Sequence, residues 1–105
     1  MIGSVCHGAL GLIHAHNEHG APLVEGRRVC GVTDQQIKDL GQWDILPFHP
    51  ELELRRARAD FRAKKGTVTD FFSTHVEIDG QLVTGQNQNS ACEVGAAILE
   101  VLASL

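Results

Sequence analysis

Cys6 lies near the start of the chain, between an apolar run at residues 1–5 and a segment of helical composition, and His7 follows it. A cysteine attacks as its thiolate, which the positive end of a helix favours, and a neighbouring imidazole can act as base or acid. Ser4 and Gly8, two positions away on either side, are small enough for a sharp strand-to-helix turn. The pattern predicts a cysteine nucleophile on such an elbow. The alternative is a buried structural cysteine at a strand end, beside a histidine that is merely polar.

The composition is that of one small globular domain. The 105 residues form a single domain over 1–105, with 43% hydrophobic and 21% charged residues. A net charge of −4 argues against nucleic acid or an anionic membrane as the partner. No apolar run is long enough to span a membrane, and residues 1–13 lack the basic start of a signal peptide. The three cysteines are a sparse, odd set that indicates free thiols in a reducing compartment, so we expect a cytoplasmic protein.

Hydrophobic spacing and turn residues predict the elements that position the cysteine. Residues 1–5 predict a short buried strand, and residues 8–20 predict a helix after it. Residues 26–32 predict a second buried strand. Thr33 and Asp34 are residue types that begin a short helix at this point.

A longer helix is predicted from Pro50 to Gly66. Proline is favoured in the first turn of a helix, and acidic residues follow it while basic residues come last, as the helix dipole prefers. The basic cluster at residues 55–65 is interpreted as the solvated face of this helix.

The last third of the chain predicts a β-hairpin and a helix. Two alternating runs within residues 74–85 surround Asp79-Gly80, a strong hairpin signal. Ser90 and Glu93 have the spacing of a capping box, which opens the final helix. The apolar face of that helix is predicted to consist of Val94, Ala97, Ile98, Val101, Leu102 and Leu105.

The order of these elements predicts an α/β fold. Strands and helices alternate along most of the chain, which is typical of a sheet covered by helices. Residues 2–5 carry no charge and are mostly apolar, as expected for a strand inside a parallel sheet with neighbours on both sides. We expect those neighbours to lie outside this chain.

Three stretches together resemble the ThiJ/PfpI family of the class I glutamine amidotransferase-like superfamily. They are SVCHGALGLI, LVEGRRVCGVTD and HVEIDGQLVTGQNQNS, in that order, followed by a helix of small residues. The likeness covers essentially the whole chain and is greatest to the heat-shock-type glyoxalase branch. It implies a flavodoxin-like, three-layer α/β/α domain with a nucleophile elbow. It also implies that the chain corresponds to the C-terminal half of such a domain and lacks the N-terminal half.

The resemblance assigns site residues one at a time. Cys6 matches the family's nucleophile and His7 matches the adjacent histidine. The acid that orients this histidine in the glyoxalase-like branch aligns with Ile37, and Asp34, one helical turn earlier, is the substitute that we consider. The family's glutamate that bonds the thiol, and its glycine-rich oxyanion loop, belong to the N-terminal half.

The motif FHPE suggests a second arrangement. Class I glutamine amidotransferases pair an elbow cysteine with a His-Pro-Glu motif, so Cys6, His49 and Glu51 form an alternative triad. Two features oppose it, because His49 follows Cys6 closely for that family and Ser4 stands where the family has a glycine. Pro50 and Glu51 also suit the start of a helix, which is the structural alternative.

The remaining histidines and cysteines predict no metal site, and no cofactor is expected. His14 and His16 point to different faces of a helix, and only His16 and His19 share one, with no third ligand indicated. His75, at the start of the hairpin, is interpreted as a packed residue or as one that supports the site without contacting the reacting groups. The two later cysteines are interpreted as packing residues.

Two hypotheses of function follow from different classes. The first is cysteine-dependent, cofactor-free conversion of methylglyoxal to lactate, or removal of glycation adducts, by Cys6 with His7. The second is a non-catalytic, truncated paralogue that acts as a stress-related or chaperone-like binding module. The expected partners are a small aldehyde or glycated substrate, and a second copy or a complementary half-domain at the sheet edge beside residues 2–5.

Overall fold

The computed structural model describes residues 1–65 and 73–105. The strands are β1 (Ile2–Val5), β2 (Arg28–Val29), β3 (Asp60–Phe61), β4 (Val76–Asp79) and β5 (Leu82–Gly85). The α-helices are α1 (Asp34–Asp39), α2 (Pro50–Arg56) and α3 (Ala91–Ala103). A first 3-10 helix spans Cys6–Leu12, and a second spans Gln88–Ser90. No helix in these two stretches is long and apolar enough to cross a membrane.

A three-stranded sheet with the order β1-β5-β4 lies at the centre of the fold. β1 runs parallel to β5, and the hairpin strands β4 and β5 are antiparallel, as predicted. Asp79 pairs with Leu82, so the two loop residues are Gly80 and Gln81 and the predicted turn is one residue too early. Gly80 has φ 59, a left-handed conformation that glycine adopts without strain. β2 and β3 form a separate parallel pair.

Helices cover both faces of the central sheet. Neighbouring residues of β5 point to opposite faces, since Leu82 belongs to one apolar cluster and Val83 to the other. The first cluster contains Ala9 from the first 3-10 helix and Leu54 from α2. The second contains Val94 from α3. The predicted α/β/α layering is therefore confirmed.

The sequence predicts a buried β1, but the strand is only partly covered. Within the described residues it has a hydrogen-bonded neighbour on one side only, β5. Ile2 is 37% exposed and Ser4 and Val5 are half-buried. An apolar strand with an open edge is a surface on which another strand can pair.

The predicted helix over residues 8–20 is wrong beyond its first turns. A 3-10 helix ends at Leu12, and a turn follows in place of an α-helix. The Asn17 side chain accepts hydrogen bonds from the backbone N–H groups of His19 and Ala21, and His16 pairs with Pro22. Asparagine offers the backbone these local bonds in competition with a helix, which explains the early end.

The predicted helix from Pro50 to Gly66 is also too long, because α2 ends at Arg56. Arg58 takes a left-handed conformation with φ 63, and the chain then enters β3. Pairing of β3 with β2 buries Phe61, which is 6% exposed. Burial of this ring outweighs the local helical preference, and the basic residues after it do not lie on a helix.

The capping box that was predicted at the start of the last helix, α3, does not form. Ser90 does precede α3, but its hydroxyl donates to Asn87, and Glu93 accepts from Thr74, so no capping box forms. The capping box occurs at α1, where Thr33 and Gln36 bond each other's backbone N–H. On α3 the predicted apolar face is correct for Val94, Ala97, Ile98 and Val101. It is wrong for Leu102 and Leu105, which are 47% and 70% exposed.

Candidate active site

Cys6 directly follows β1, at the start of the first 3-10 helix. Its φ is 60, a left-handed conformation that is rare for a residue with a side chain. The carbonyl of Cys6 accepts the backbone N–H of Val32 at 3.4 Å. Gly31 permits this close approach, because a Cβ at Gly31 would lie 3.2 Å from that carbonyl oxygen. The chain after β2 therefore supports the strained turn.

The side chains of Cys6 and His7 contact each other. The Cys6 sulfur lies 3.3 Å from Nδ1 of His7. Burial raises the pKa of the Cys6 thiol, while the backbone N–H groups of His7 and Gln88 oppose that rise. Burial also lowers the pKa of His7, and the charge of His49 lowers it further. Both directions favour a neutral thiol that donates to a neutral imidazole, which can accept the proton when the sulfur attacks.

The far side of the His7 ring has no orienting group among the described residues. Its Nε2 is buried without a hydrogen-bond partner in residues 1–65 and 73–105. Oδ1 of Asp34 is likewise buried and unpartnered there, so the two groups do not bond each other. Burial and the neighbouring Glu51 raise the pKa of Asp34. Ile37 is fully buried and apolar. The role of Asp34 as an acid for His7 stays a prediction.

His49 and Glu51 are held by other groups. Nε2 of His49 lies 2.8 Å from the carbonyl of Trp43, and the two rings stack at 3.7 Å between centroids. Glu51 accepts hydrogen bonds from the backbone N–H of Asp34, from Arg55 and from Lys65. Within the described stretches neither residue bonds to Cys6, and they do not bond to each other. They begin α2, as the structural alternative predicts.

The other histidines and cysteines lie apart from this pair. Nε2 of His75 is 3.0 Å from the carboxylate of Glu77. Cys30 is buried and donates to the carbonyl of Thr84 at 2.9 Å, and burial raises its pKa to about 11. Cys92 is exposed. Of the residues that the structure describes, no three His, Cys, Asp or Glu side chains are grouped to hold a metal ion.

Comparison with known proteins identifies the family. The probable glutathione-independent glyoxalase SNO4 of Saccharomyces cerevisiae is 33% identical over 94 residues, which cover 87% of this chain and 39% of the relative. The solved structure of Rapid Encystment Protein (REP24) from Francisella tularensis is 28% identical, with a TM-score of 0.88. These similarities indicate the ThiJ/PfpI family. No family model matches it.

The chain spans less than half the length of each of these relatives. REP24 is covered over 43% of its length and SNO4 over 39%. Glyoxalase III from Candida albicans has the same fold, with a TM-score of 0.85 at 24% identity, and 43% of it is covered. The structure therefore corresponds to a partial ThiJ/PfpI domain that contains Cys6 and His7.

Two features of the site are not visible in the sequence pattern. The loop after β5 approaches Cys6 because β1 and β5 are parallel and in register, and strand pairing of this kind leaves no local signal. His49 acts on His7 only because α2 packs against the first 3-10 helix. In both cases the neighbours are distant along the chain.

Proposed function

We propose that this chain carries the cysteine-dependent chemistry of a glutathione-independent glyoxalase, the conversion of methylglyoxal to lactate. The observation that carries the proposal is the left-handed turn at Cys6 with its sulfur 3.3 Å from Nδ1 of His7. A strained residue at the end of a strand, with an adjacent base, is a typical arrangement for a nucleophile. The similarity to SNO4 supports the choice of reaction.

The proposed reaction balances without an external oxidant or reductant. The Cys6 sulfur adds to the aldehyde carbon, and the carbonyl oxygen takes up a proton to give a hemithioacetal. His7 removes the hydrogen on that carbon as a proton while the ketone oxygen takes up a proton, which gives an enediol. Protonation of the former ketone carbon and loss of the proton from the hydroxyl on the sulfur-bearing carbon then give a thioester of Cys6. Water cleaves the carbon–sulfur bond and releases lactate and the thiol. The aldehyde carbon is oxidised and its neighbour reduced within one molecule.

Burial of the site fits the role proposed for His7. A depressed pKa keeps this imidazole neutral at pH 7, as a base must be. The raised pKa of Cys6 means that the thiol gives up its proton in concert with attack and does not rest as an ion pair. Addition to a carbonyl is also the first step in removing a glycation adduct, which makes glycated amines the second substrate class.

Lactate formation from methylglyoxal without glutathione is the direct test. We expect the 105-residue chain to form lactate, and we expect Cys6→Ser to abolish it. Cys92→Ser is the matched control, because it removes an exposed thiol that the proposed reaction does not use, and we expect it to leave the reaction intact. His7→Gln is expected to slow the reaction about 100-fold or more, as the loss of a general base does. A folded wild-type chain that forms no lactate would contradict the proposal and favour a binding module.

A further inference from the structure

The loop that follows β5 lies beside the candidate nucleophile. β1 and β5 are parallel, and Val5, the last residue of β1, pairs with Gly85, the last residue of β5. Parallel strands that end at the same level place the next residues of both chains side by side. Cys6 therefore emerges next to residues 86–88, and the thiol meets the backbone of this loop.

Buried side-chain amides hold this loop in place. Gln86 is fully buried, accepts the backbone N–H of Lys64 at 2.8 Å and donates to the carbonyl of the same residue at 3.0 Å. Asn87 is 2% exposed, donates to the carbonyl of Ser73 and accepts the hydroxyl of Ser90 at 2.8 Å. Burying two amides is favourable only when their polar atoms are bonded, as they are here. The loop is a rigid support.

Gln88 presents its backbone N–H at the end of this support. It is the first residue of the second 3-10 helix, where an N–H has no acceptor within the helix. The register of β1 and β5 brings this N–H close to Cys6. Hydrogen bonding to the backbone of His7 and of Gln88 lowers the pKa of the Cys6 thiol, against the larger effect of burial. Gln88 is exposed, and the group of this residue that acts on the thiol is its backbone.

We propose that the backbone N–H of Gln88 holds the negative charge of the Cys6 sulfur, and that Gln86 and Asn87 are positioning residues for it. Preorganised N–H groups stabilise an anion without reorganising when the charge develops. Burial works against the thiolate at Cys6, and a rigid donor offsets that cost. The catalytic use of this donor rests on the proposed function, because the charge concerned develops on the sulfur as it attacks.

Replacement of Gln88 by proline tests the donor directly. Gln88→Pro removes this N–H together with the exposed side chain, and Asn87 already has φ −153 and ψ 177, the extended conformation that a residue before proline prefers. Proline also suits the first position of a helix. Gln88→Ala is the reference, since it truncates the same side chain and keeps the N–H. Both variants carry Cys92→Ser, so that the exposed thiol does not react.

The readout is the rate of Cys6 alkylation by iodoacetamide as a function of pH. A hydrogen bond to a charged group typically changes a pKa by about one unit or more, so we expect the midpoint for Gln88→Pro to lie above that for Gln88→Ala. At pH 7 the proline variant should react about tenfold more slowly. The titratable groups near the thiol, His7 and the His49 that acts on it, are the same in both variants. Equal rates would overturn the proposal.

A measurement on the chain without any change at Gln88 covers the case in which the proline variant does not fold. In NMR spectra recorded as a function of pH, we expect the chemical shift of the Gln88 amide proton to change as Cys6 ionises. The midpoint of this change should equal the pKa of Cys6 found by alkylation, and the change should be absent in Cys6→Ser. An amide that does not respond would contradict the proposal. Neither experiment requires methylglyoxal, so a chain that forms no lactate but shows both effects would refute the function and leave this inference standing.

Discussion

Nδ1 of His7 lies 3.3 Å from the sulfur of Cys6, its neighbour in the chain, at a point where the backbone of Cys6 is left-handed with φ 60. Strained backbone persists where the surrounding structure holds it, and it is concentrated at functional sites. Here the bond from Val32 to the Cys6 carbonyl and the space left by Gly31 supply that support. The same turn places the Cys6 thiol beside the imidazole of His7 and next to the loop after β5.

The strain at Cys6 should be measurable as a stability difference. A left-handed residue with a Cβ costs roughly 1–2 kcal/mol, a cost that glycine avoids. Glycine usually destabilises a protein relative to alanine. Here we expect Cys6→Gly to be at least as stable as Cys6→Ala, with a free energy of unfolding that is higher by up to about 1 kcal/mol. Urea unfolding of the two variants measures the difference. A glycine variant that is less stable than the alanine variant would show that the turn is relaxed.

The charge of His49 should affect the titration of His7. Burial is the main cause of the low pKa of His7, and repulsion by His49 adds to it. His49→Phe keeps an aromatic ring stacked on Trp43 and removes the charge. We expect the pKa of His7 to rise toward its usual value, as measured by NMR titration of the ring protons. His14→Phe, at an exposed position, is the control and should leave His7 unchanged.

The same depressed pKa predicts how stability depends on pH. His7 binds its proton more weakly in the folded chain than in the unfolded chain. Its contribution to the free energy of unfolding is therefore fully present above the unfolded pKa of about 6.5 and is lost as pH falls below that value. His7→Gln should lose this part of the pH dependence. Urea unfolding between pH 5 and pH 8, compared with wild type, measures it, and parallel curves would contradict the assignment.

Features that depend on local sequence were predicted well. The hairpin follows from alternating residues on either side of Asp79-Gly80, and α3 follows from helical spacing of apolar residues. The contact of Cys6 with His7 was also predictable, because the two residues are adjacent. In these cases turn chemistry and side-chain periodicity act within a few residues.

Features that depend on distant pairing were missed. β3 is only two residues long and exists because β2 pairs with it. The local pattern at residues 55–65 contains no sign of this pairing and therefore predicted a helix. The position of Gln88 near Cys6 depends on the register of β1 and β5. The sequence does not encode such a register in any single segment, and it emerges from packing of the whole sheet.

Glu51 should contribute more to stability than a surface carboxylate does. Its side chain is 6% exposed and bonds to Lys65, Arg55 and the backbone of Asp34. Burial alone would raise its pKa, but these bonds together hold the pKa below its usual value. We expect Glu51→Gln to lower the free energy of unfolding at pH 7 by about 2 kcal/mol, because a buried charged hydrogen-bond network loses its acceptor.

A surface ion pair provides the control for Glu51. Asp60 bonds Arg62 at 2.8 Å, but both side chains are about half exposed, at 46% and 53%. Asp60→Asn should therefore change stability much less than Glu51→Gln does. The Glu51 contribution is present above pH 4.5 and is lost as pH falls through the acid range, since its folded pKa is depressed. Equal effects of the two substitutions would contradict the structural role of Glu51.

Two glycines near α3 should respond to alanine in opposite directions. A Cβ on Gly85, in β5, would collide with Cγ2 of Val94, whereas a Cβ on Gly95 meets no atom within 4 Å. Gly85→Ala should cost about 2 kcal/mol, since overpacking forces side chains or backbone to shift. Gly95→Ala should stabilise the chain by up to about 1 kcal/mol, because alanine favours the helix. Thermal unfolding measures both, and a shift in the same direction would show that α3 does not pack on β5 as described.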